Sequence, residues 1–506
     1  MLSFSAQTRA ANLARMAEER FDVLVIGGGI TGAGIALDAA TRGLSVALVE
    51  KDDFASGTSG RSSRLVHGGL RYLEQRDLGL VRESLRERRI LHRLAPHLVR
   101  PIPMYILADN PRSRARYRAG LAAYELLAAG RNIGFHRSVS AERVQQAIPG
   151  FGGWSRGFRY FEGQTDDARL TIEVARTAQA AGAVLANHAR AEALLGGARV
   201  TGAAVVDETT GQRFEIRAGA TVNAAGVWAD RVARLAGRSG GVRLLPSKGV
   251  HLVFAPGSVR TRAALIAPSA AGDGRYIFIV PWDDRVYAGT TDTPYAGDLD
   301  RPAVDDADRD YILSAVAGLF PGVTGRDVVA SWAGLRPLLS QDDGDARTSD
   351  LSRNHAVFTD LAGLFTITGG KLTTYRAMAQ DLVDRIAAWR AATGLGEAGP
   401  CRTRGIPLGL HGSAAAAVAM ARAEVTRLGL PPRTAARLVQ RYGDDWREAV
   451  RLIGQDPSLG DPVVSGLPVL GVEVTLARSR EMALTDDDVF VRRTRLTTRD
   501  ASALAR

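Results

Sequence analysis

The strongest constraint on the fold of this chain is a glycine-rich turn that joins two apolar segments near its start. The run FDVLVI at 21–26 is continuous, apolar and rich in β-branched residues, which is typical of a strand buried on both faces of a parallel sheet. It leads into GGGITG at 27–32, a GxGxxG spacing, then into a helical segment and a second strand, LSVALVE, that ends at Glu50. This order of elements predicts a dinucleotide-binding βαβ unit.

Each part of this unit has a role in binding. Gly27 permits the tight turn, Gly29 lets the backbone approach a pyrophosphate, and Gly32 lets the helix pack closely on the strand. The helix N-terminus presents N–H groups and the positive end of its dipole to the phosphates. Glu50 is placed to accept hydrogen bonds from an adenosine ribose, which argues against a 2′-phosphorylated cofactor but does not separate NAD from FAD.

The segment that follows Glu50 favours a flavin. Residues 53–75, DFASGTSGRSSRLVHGGLRYLEQ, form a loop rich in serine, threonine and glycine that ends in a glycine pair. An NAD-dependent Rossmann domain would normally continue here into a simple crossover helix. The small hydroxyl side chains instead offer hydrogen bonds to a longer, folded-in cofactor, so we predict FAD.

Composition indicates a globular protein of several domains. The 506 residues are 45% hydrophobic and 24% charged. The single cysteine, Cys401, excludes an intramolecular disulfide and suggests a reducing compartment. Long apolar runs are interrupted by charge and glycine, and residues 1–20 lack the apolar core of a secretory signal. We therefore expect neither a transmembrane helix nor a signal peptide, and a cytoplasmic location.

Most of the net charge of +11 is carried by arginine. Lysine occurs only at Lys51, Lys248 and Lys371, so a retained lysine points to a place where a compact ammonium is useful. Arginines cluster at 82–93, 112–118 and 492–495. No zinc-finger or RNA-recognition motif accompanies them, so we predict no nucleic-acid partner. We expect most of them on solvated helix faces, with an anionic membrane surface as the second interpretation.

Two common catalytic classes lack their sequence motifs. No G-x-S-x-G elbow accompanies the histidines, which argues against a serine hydrolase. The eight histidines are scattered, without an H-E-x-x-H motif or a histidine–carboxylate cluster. We therefore predict no metal at the site.

Longer sequence blocks resemble the FAD-dependent glycerol-3-phosphate dehydrogenases, part of a larger group of flavoproteins that includes D-amino acid and glycine oxidases. The blocks span residues 21 to about 390 in the family's order, and HGGLRY and GGKLTTYR are more specific than the glycine turn. They are GGGITGAGIALDAATRGLSVALVE at 27–50, GTSGRSSRLVHGGLRYLEQ at 57–75, DDARL at 166–170, VNAAGVWAD at 222–230, KGVHLVF at 248–254, IVPWDDRVYAGTTD at 279–292, GLRPLL at 334–339 and GGKLTTYR at 369–376.

The resemblance implies an α/β fold with three parts. A Rossmann-like FAD-binding domain, of the D-amino acid oxidase and glutathione reductase group, is expected at 21–100, 165–245 and 330–390. An interleaved α+β substrate domain is expected at 101–164 and 246–329, where RYIFIVPW and RVYAGTTD flank the turn Asp283-Asp284 as in a hairpin. A helical C-terminal domain is expected at 391–506. Its last segment, LTDDDVFVRRTRLTT, is a candidate for contacts with a second subunit of a homodimer or with a membrane.

The resemblance also implies a set of FAD contacts. They come from the glycine turn, the hydroxyl-rich loop, the NAAGVW turn and the TGGKL segment. Thr31 stands where many members have asparagine, and Arg64 stands where many have lysine. The threonine keeps the hydrogen-bonding capacity and the arginine keeps the positive charge. The implied contacts are Gly27, Gly29, Thr31, Gly32, Glu50, Thr58, Ser59, Ser63, His67, Gly68, Gly69, Ala225, Gly226, Trp228, Thr368, Gly369, Gly370, Lys371 and Leu372.

The reaction that the resemblance implies is oxidation of sn-glycerol 3-phosphate to dihydroxyacetone phosphate. A hydride leaves carbon 2 for flavin N5 while the attached hydroxyl loses a proton, which requires an anion clamp, a proton acceptor and a pocket that excludes water. Arg336 in GLRPLL is the predicted clamp, because its fork binds phosphate bidentately and the following proline favours an extended backbone. Arg71 and Lys371 are its predicted partners, and Lys371 could also stabilise the reduced flavin.

Several of these roles keep an alternative. Arg336 could instead pair with a core carboxylate such as Asp342 or Asp343. His251 in KGVHLVF is the predicted proton acceptor, but a histidine on an apolar strand is as often a core residue. His67 is the second candidate for the base. Tyr72 is predicted to bind the phosphate or to shape the pocket.

The electron acceptor and the class of the enzyme are the remaining expectations. The resemblance implies a quinone acceptor and a peripheral position on the inner face of the cytoplasmic membrane. The alternatives are an oxidase that passes electrons from the same substrate to oxygen, and an amino-acid oxidase of the same flavoprotein group. A third alternative is a protein that binds FAD without catalysis.

Overall fold

The computed structural model describes residues 4–70, 73, 77–236, 244–339 and 354–505. Four residues named above, Arg71, Tyr72, Asp342 and Asp343, lie outside these ranges, so their roles stay predictions. The described residues form two β-sheets with helices packed on them, followed by a group of helices towards the C-terminus.

The chain passes back and forth between the two sheets, and adds two to six consecutive strands to one sheet before it returns to the other. The strands are β1 Arg20–Ile26, β2 Val46–Val49, β3 Leu65–Val66, β4 Arg100–Leu107, β5 Arg137–Val139, β6 Gly157–Gln164, β7 Val184–Ala186, β8 Ala189–Gly196, β9 Val200–Asp207, β10 Arg213–Asn223, β11 Leu244–Phe254, β12 Ala264–Pro268, β13 Tyr276–Trp282, β14 Arg285–Gly289, β15 Thr293–Pro294, β16 Val328–Leu339, β17 His355–Leu361 and β18 Leu364–Gly369.

Most of the helices connect strands or follow the last strand. They are α1 Ala6–Glu18, α2 Ile30–Thr41, α3 Leu78–Leu94, α4 Pro111–Leu127, α5 Ala141–Ala147, α6 Asp167–Ala180, α7 Ala229–Arg234, α8 Asp306–Leu319, α9 Tyr375–Ala392, α10 Ala414–Arg427, α11 Arg433–Tyr442, α12 Trp446–Gln455, α13 Gly471–Arg480 and α14 Leu496–Arg499. A π-helical turn occupies Asp488–Arg493, and short 3₁₀ turns include Thr58–Gly60, Gly226–Trp228 and Leu372–Thr374.

The first sheet contains the predicted dinucleotide-binding unit. Its strands run in the order β17-β18-β10-β1-β2-β7, and every neighbouring pair from β18 to β7 is parallel. Val23 and Val25 of β1 face a core shared with α2, α6 and α9, whereas Leu24 and Ile26 face α1 and the β8–β9 pair. Burial on both faces explains the continuous apolar run that the sequence shows.

The second sheet is largely antiparallel. It runs in the order β15-β11-β14-β13-β12-β4-β6-β3, with β16 paired to β11 and β5 to β6. The predicted hairpin is confirmed, since β13 and β14 pair directly at Trp282 and Arg285 with Asp283-Asp284 as the turn. Residues 330–339 lie in this sheet, although we assigned them to the cofactor domain, because β16 pairs along β11 from Val328 to Leu339.

The C-terminal helices form a core of their own, in which Leu438, Trp446 and Ile453 are buried. After these helices, the arginines at 492–495, which the sequence predicts on a solvated face, contact the cofactor domain. Arg493 is fully buried and pairs with Asp53, in the loop after β2. Arg495 pairs with Asp166 at 3.0 Å and with Asp167, at the start of α6.

These ion pairs correct the interpretation of the last arginine cluster as a solvated or membrane-facing surface. Arg492 also pairs with Asp53, at 2.6 Å. Periodicity showed only a charged helix-like segment, whereas the carboxylates that neutralise it lie about 330 to 440 positions away in the chain. Arg88, in the cluster at 82–93, is likewise buried and lies 2.5 Å from Glu162.

Candidate active site

The glycine turn after β1 forms one end of a cavity of about 390 Å³. Gly27 has a φ of +117°, and a Cβ there would lie 2.6 Å from the carbonyl oxygen of Ala224, so only glycine fits. A Cβ at Gly32 would overlap the carbonyl oxygen of Gly27. Gly29 precedes α2, whose N-terminus opens on this cavity through Thr31. The turn therefore provides a backbone cradle at a helix N-terminus, as the spacing predicts.

The rest of this cavity is lined by residues from distant parts of the first sheet. Glu50 lies at the end of β2, where its carboxylate accepts hydrogen bonds from the N–H groups of Gly28 at 2.6 Å and Asp52 at 3.0 Å. Burial raises the pKa of Glu50, partly offset by these hydrogen bonds. Other predicted contacts that line the cavity are Thr58, Ser59, Ala225, Gly226, Trp228, Thr368, Gly369, Gly370, Lys371 and Leu372.

Two polar groups in this cavity wall lack a hydrogen-bond partner. The indole Nε1 of Trp228 and the hydroxyl of Thr368 are buried, and neither bonds to any residue within the described ranges. A buried polar group of this kind costs about 1–3 kcal/mol when nothing satisfies it. The cradle and these groups fit a bound dinucleotide with many hydrogen-bonding atoms.

A second cavity, of about 420 Å³, adjoins the first. The two cavities share Thr58, Pro337 and the segment 369–372 in their walls, so a molecule in one lies next to a molecule in the other. Strands of the second sheet form the largest part of this wall, and α4 contributes Tyr117 and Leu121. We refer to the first as the cofactor cavity and to the second as the substrate cavity.

Arg336 lies in the substrate cavity, as predicted, and β16 gives it the extended backbone that the following proline favours. Its Nη2 donates to the Thr290 hydroxyl at 3.0 Å and to the Thr291 carbonyl at 3.1 Å. Its Nη1 lies 3.5 Å from Asp292. The side chain is 21% exposed, so these contacts orient the guanidinium while leaving it accessible from the cavity.

His251 also lines the substrate cavity, and it is buried as a core residue would be. It is 2% exposed and stacks on Trp332, with ring centroids 4.7 Å apart. Its Nε2 lies 2.9 Å from the hydroxyl of Ser63, which also lines the cavity. Burial lowers the pKa of His251 well below its ordinary value, with further contributions from Arg336 and Arg64. The ring is therefore neutral near pH 7.

Of the remaining predicted residues, some line the substrate cavity and one packs behind its wall. Lys371 lines both cavities, and its Nζ lies 3.3 Å from the hydroxyl of Ser84 on α3. His67 and Gly69 line the substrate cavity rather than the cofactor cavity. Gly68 lies behind the wall, where a Cβ would overlap the Tyr124 hydroxyl.

Sequence reasoning missed the residues that orient the predicted arginine. Gly249 in the KGVHLVF block leaves room for it, since a Cβ there would lie 2.5 Å from Nη2 of Arg336. Thr290 and Asp292, in the AGTTD block, contact the guanidinium of Arg336 directly. The pairing of β11 with β16 and with β14 brings these blocks together, and no local pattern shows that pairing. In the sequence, these residues were marked only by their position inside the blocks that resemble the dehydrogenase family.

A cluster of possible metal ligands occurs outside both cavities. Single ligand atoms of Asp53, His188 and Asp488 lie within 4.8 Å of one another. Arg492 and Arg493 also pair with these carboxylates, so the group is part of the ion-pair network that fixes the C-terminal segment.

Comparison with known proteins assigns this architecture to a family. A family model described as FAD dependent oxidoreductase matches residues 22–376. A second, described as the C-terminal domain of alpha-glycerophosphate oxidase, matches residues 401–506. "Glycerol-3-phosphate dehydrogenase 2" of Mycobacterium tuberculosis is 41% identical over 494 residues, which cover 96% of this chain and 83% of that protein. The chain belongs to the FAD-dependent glycerol-3-phosphate dehydrogenases.

Two further relatives agree with this assignment to the glycerol-3-phosphate dehydrogenases. The "aerobic glycerol-3-phosphate dehydrogenase" of Bacillus subtilis is 36% identical over 505 residues, with 97% of this chain and 90% of that protein covered. The crystal structure of the glycerol-3-phosphate dehydrogenase from Bacillus halodurans, complexed with FAD, superposes with a TM-score of 0.80 at 34% identity. The superposition covers 99% of this chain and 91% of that chain. The predicted family and fold class are thereby confirmed.

None of the helices in the described ranges has both the length and the apolar character needed to cross a membrane.

Proposed function

We propose that this chain oxidises glycerol 3-phosphate to dihydroxyacetone phosphate, with FAD in the cofactor cavity and the substrate in the adjoining cavity. One observation carries the proposal: a cavity containing Arg336, Lys371 and His251 shares the wall 369–372 with a cavity built for a dinucleotide. The names of the relatives supply the substrate. The arrangement provides a cationic group for the phosphate and a neutral acceptor for the hydroxyl proton.

Arg336 binds the substrate phosphate in this proposal. Its contacts with Thr290, Thr291 and Asp292 fix the plane of the guanidinium before the substrate arrives, which limits the entropy lost on binding. Charge-assisted hydrogen bonds to a phosphate contribute about 1.5–3 kcal/mol each. Lys371, at the wall between the cavities, adds a second positive charge.

His251, which lines the cavity, accepts the proton of the carbon-2 hydroxyl, and Ser63 orients its buried ring. The neutral imidazole, its stacking on Trp332 and the 2.9 Å contact to Ser63 support this role. FAD, when bound, supplies the hydride acceptor at N5. The apolar side chains of Leu121, Ile266 and Phe278 in the cavity wall limit access of water.

The reduced enzyme passes its electrons to a quinone at an anionic membrane surface. The helix α4 supports this part of the proposal, because it lines the substrate cavity and carries four arginines in its first half. Near its end, Leu126 is 81% exposed, and Phe135 in the following loop is 65% exposed. A basic segment beside exposed apolar side chains is suited to a membrane interface.

An anaerobic titration tests the reaction. Purified protein should carry bound FAD, and glycerol 3-phosphate should bleach its absorbance with one equivalent of product formed per flavin. Amino acids should leave the absorbance unchanged. Bleaching by an amino acid but not by glycerol 3-phosphate would replace this proposal with an amino-acid oxidase. If neither class of substrate reduces the flavin, the protein binds FAD without catalysis.

A second pair of measurements tests the acceptor and the membrane. Turnover should be much faster with a soluble quinone analogue than with oxygen, and comparable rates with oxygen would indicate an oxidase. The protein should co-sediment with anionic vesicles at low salt. Leu126→Ser with Phe135→Ser should weaken that binding, while Leu504→Ser, at an exposed site near the C-terminus, serves as control. Equal sedimentation of all three proteins would place the membrane contact elsewhere.

A further inference from the structure

A third cavity, of about 660 Å³, lies where the C-terminal helices meet the two sheets. One side is formed by the ends of β6 and β13 and by the turn before β4, and the other by α11 and the segment 460–470. None of its wall residues is shared with the cofactor or the substrate cavity. Its function is therefore separate from the binding of FAD and of glycerol 3-phosphate.

Three buried wall residues carry side-chain nitrogens without a hydrogen-bond partner among the described residues, namely His97, Arg64 and Arg169, of which Arg169 is ion-paired with Glu481. His97 is 1% exposed, and neither of its ring nitrogens bonds to another residue in the part of the chain that the structure describes. Arg64 is 2% exposed, and its Nε and Nη1 are likewise unbonded within the described ranges. The nearest carboxylate, on Asp167, is 4.0 Å from Nε of Arg64. Such groups are costly to bury unless an occupant of the cavity satisfies them.

Six arginines and three aspartates line the wall, and the aspartates are ion-paired with arginines, so the excess charge is positive and favours an anion. Arg433 and Arg100, both exposed, reach the cavity from opposite sides, and no ion pair joins either of them to a carboxylate of a described residue. The N-terminus of α11 begins at Arg433, so the positive end of its dipole faces the same space. Burial lowers the pKa of His97 to about 3, so its neutral ring offers one donor and one acceptor.

Part of the wall is apolar. Leu98, Leu467, Pro468 and the ring of Trp282 line the cavity beside the arginines. We propose that this cavity binds a small organic phosphate, with the phosphate among Arg433, Arg100 and Arg64 and the organic part against the apolar side chains. The volume is within the range of small-molecule sites.

The occupant would be connected to the catalytic residues through stacked rings. The guanidinium of Arg64 lies 4.5 Å from the ring centroid of Trp332, which stacks on His251. The neighbouring Ser63 bonds to His251. A phosphate that pulls on Arg64 therefore acts on the position of Trp332 and Ser63, and binding is expected to change turnover.

Binding is tested on the Arg336→Leu holoenzyme, so that the clamp in the substrate cavity does not contribute. Calorimetry with pyrophosphate should show one site. Adding Arg433→Gln or Arg100→Gln should raise Kd by about tenfold or more, since each removes a charge-assisted contact. Adding Arg422→Gln, at an exposed site on α10 outside the cavity, should change Kd less than about twofold. Absence of binding at millimolar pyrophosphate, or equal Kd in all variants, would overturn the proposal.

Two further measurements address the organic part and the connection to turnover. Phenyl phosphate should bind more tightly than inorganic phosphate, and equal affinity would overturn the assignment of the apolar wall. With saturating glycerol 3-phosphate, phenyl phosphate should change kcat of the otherwise unmodified holoenzyme and not that of Arg433→Gln. An unchanged kcat in both would overturn the connection to His251. Anionic vesicles should not compete with pyrophosphate, and competition by them would identify a lipid headgroup instead.

Discussion

The cofactor cavity and the substrate cavity are built in different ways. The cofactor cavity is formed largely by backbone, at the glycine turn 27–32 and the segment 368–370, where side chains are small or absent. The substrate cavity depends on the positions of large side chains, chiefly Arg336 and His251, that are held by neighbours on other strands. A change in the cofactor cavity should therefore affect whether the protein folds and binds FAD, and a change in the substrate cavity should affect the rate of reaction.

The largest effect is expected from Gly32→Val. A Cβ at this position overlaps the carbonyl oxygen of Gly27, so α2 must move away from β1. Overpacking of this kind costs about 3 kcal/mol, and we expect the protein to lose most of its bound flavin and several degrees of Tm. Absorbance of the purified protein and thermal unfolding measure both. Gly318→Ala, on α8 with open space around its Cβ, is the control and should keep both. Full flavin content in Gly32→Val would contradict the role of the turn.

Arg336→Leu should have the next largest effect, and only on kinetics. Loss of two charge-assisted contacts to phosphate predicts a decrease in kcat/KM of at least about 100-fold, with a raised KM and normal flavin content. Arg336→Lys should recover part of the loss, since it keeps the charge but not the fork. Steady-state kinetics measure kcat and KM, and the absorbance of the purified variant measures its flavin content. Unchanged kinetics in Arg336→Leu would remove this residue from the clamp.

His251→Ala should slow flavin reduction by about 100-fold, the lower part of the range for a general base. Because burial lowers the pKa of His251 well below 6.5, its proton-accepting form persists as the pH falls to 6. The unmodified enzyme should therefore keep its reduction rate at pH 6, while the variant should lose most there, where hydroxide cannot replace the base. Stopped-flow reduction across pH 5.5–9 measures this. A small loss at every pH would assign His251 to the core.

Ser63→Ala should give the smallest effect, about tenfold or less in the reduction rate. The substitution removes the 2.9 Å hydrogen bond to Nε2 of His251, and a hydrogen bond of this type contributes about 0.5–1.5 kcal/mol. Ser62→Ala is not a matched control, because its hydroxyl bonds to Asp167. Ser258→Ala, far from both cavities, serves instead. If Ser63→Ala changes the rate as much as His251→Ala, the hydroxyl itself takes part in proton transfer.

The glycine turn and Glu50 of the cofactor cavity could be predicted from the sequence because their contacts are local, whereas Trp228 and the segment 368–372 were implied only by the family resemblance. Gly27 and Gly32 contact each other five residues apart, and Glu50 bonds to Gly28 within the same βαβ unit. The substrate half came from the family resemblance, which named Arg336 and His251 but not what holds them. The contact of His251 with Ser63 joins residues 188 positions apart, and no periodicity reports such a distance.

The amino-acid sequence was sufficient to predict the βαβ unit, the family and a set of candidate site residues, since glycine spacing, apolar runs and specific blocks are properties of the chain. Whether a charged group is exposed or neutralised depends on the folded arrangement. Arg493 and Arg495 resemble a solvated basic cluster in the sequence, yet Asp53, Asp166 and Asp167 bury them against the cofactor domain. Charge and burial depend on which distant strands and helices meet, and that is fixed only when the chain has folded.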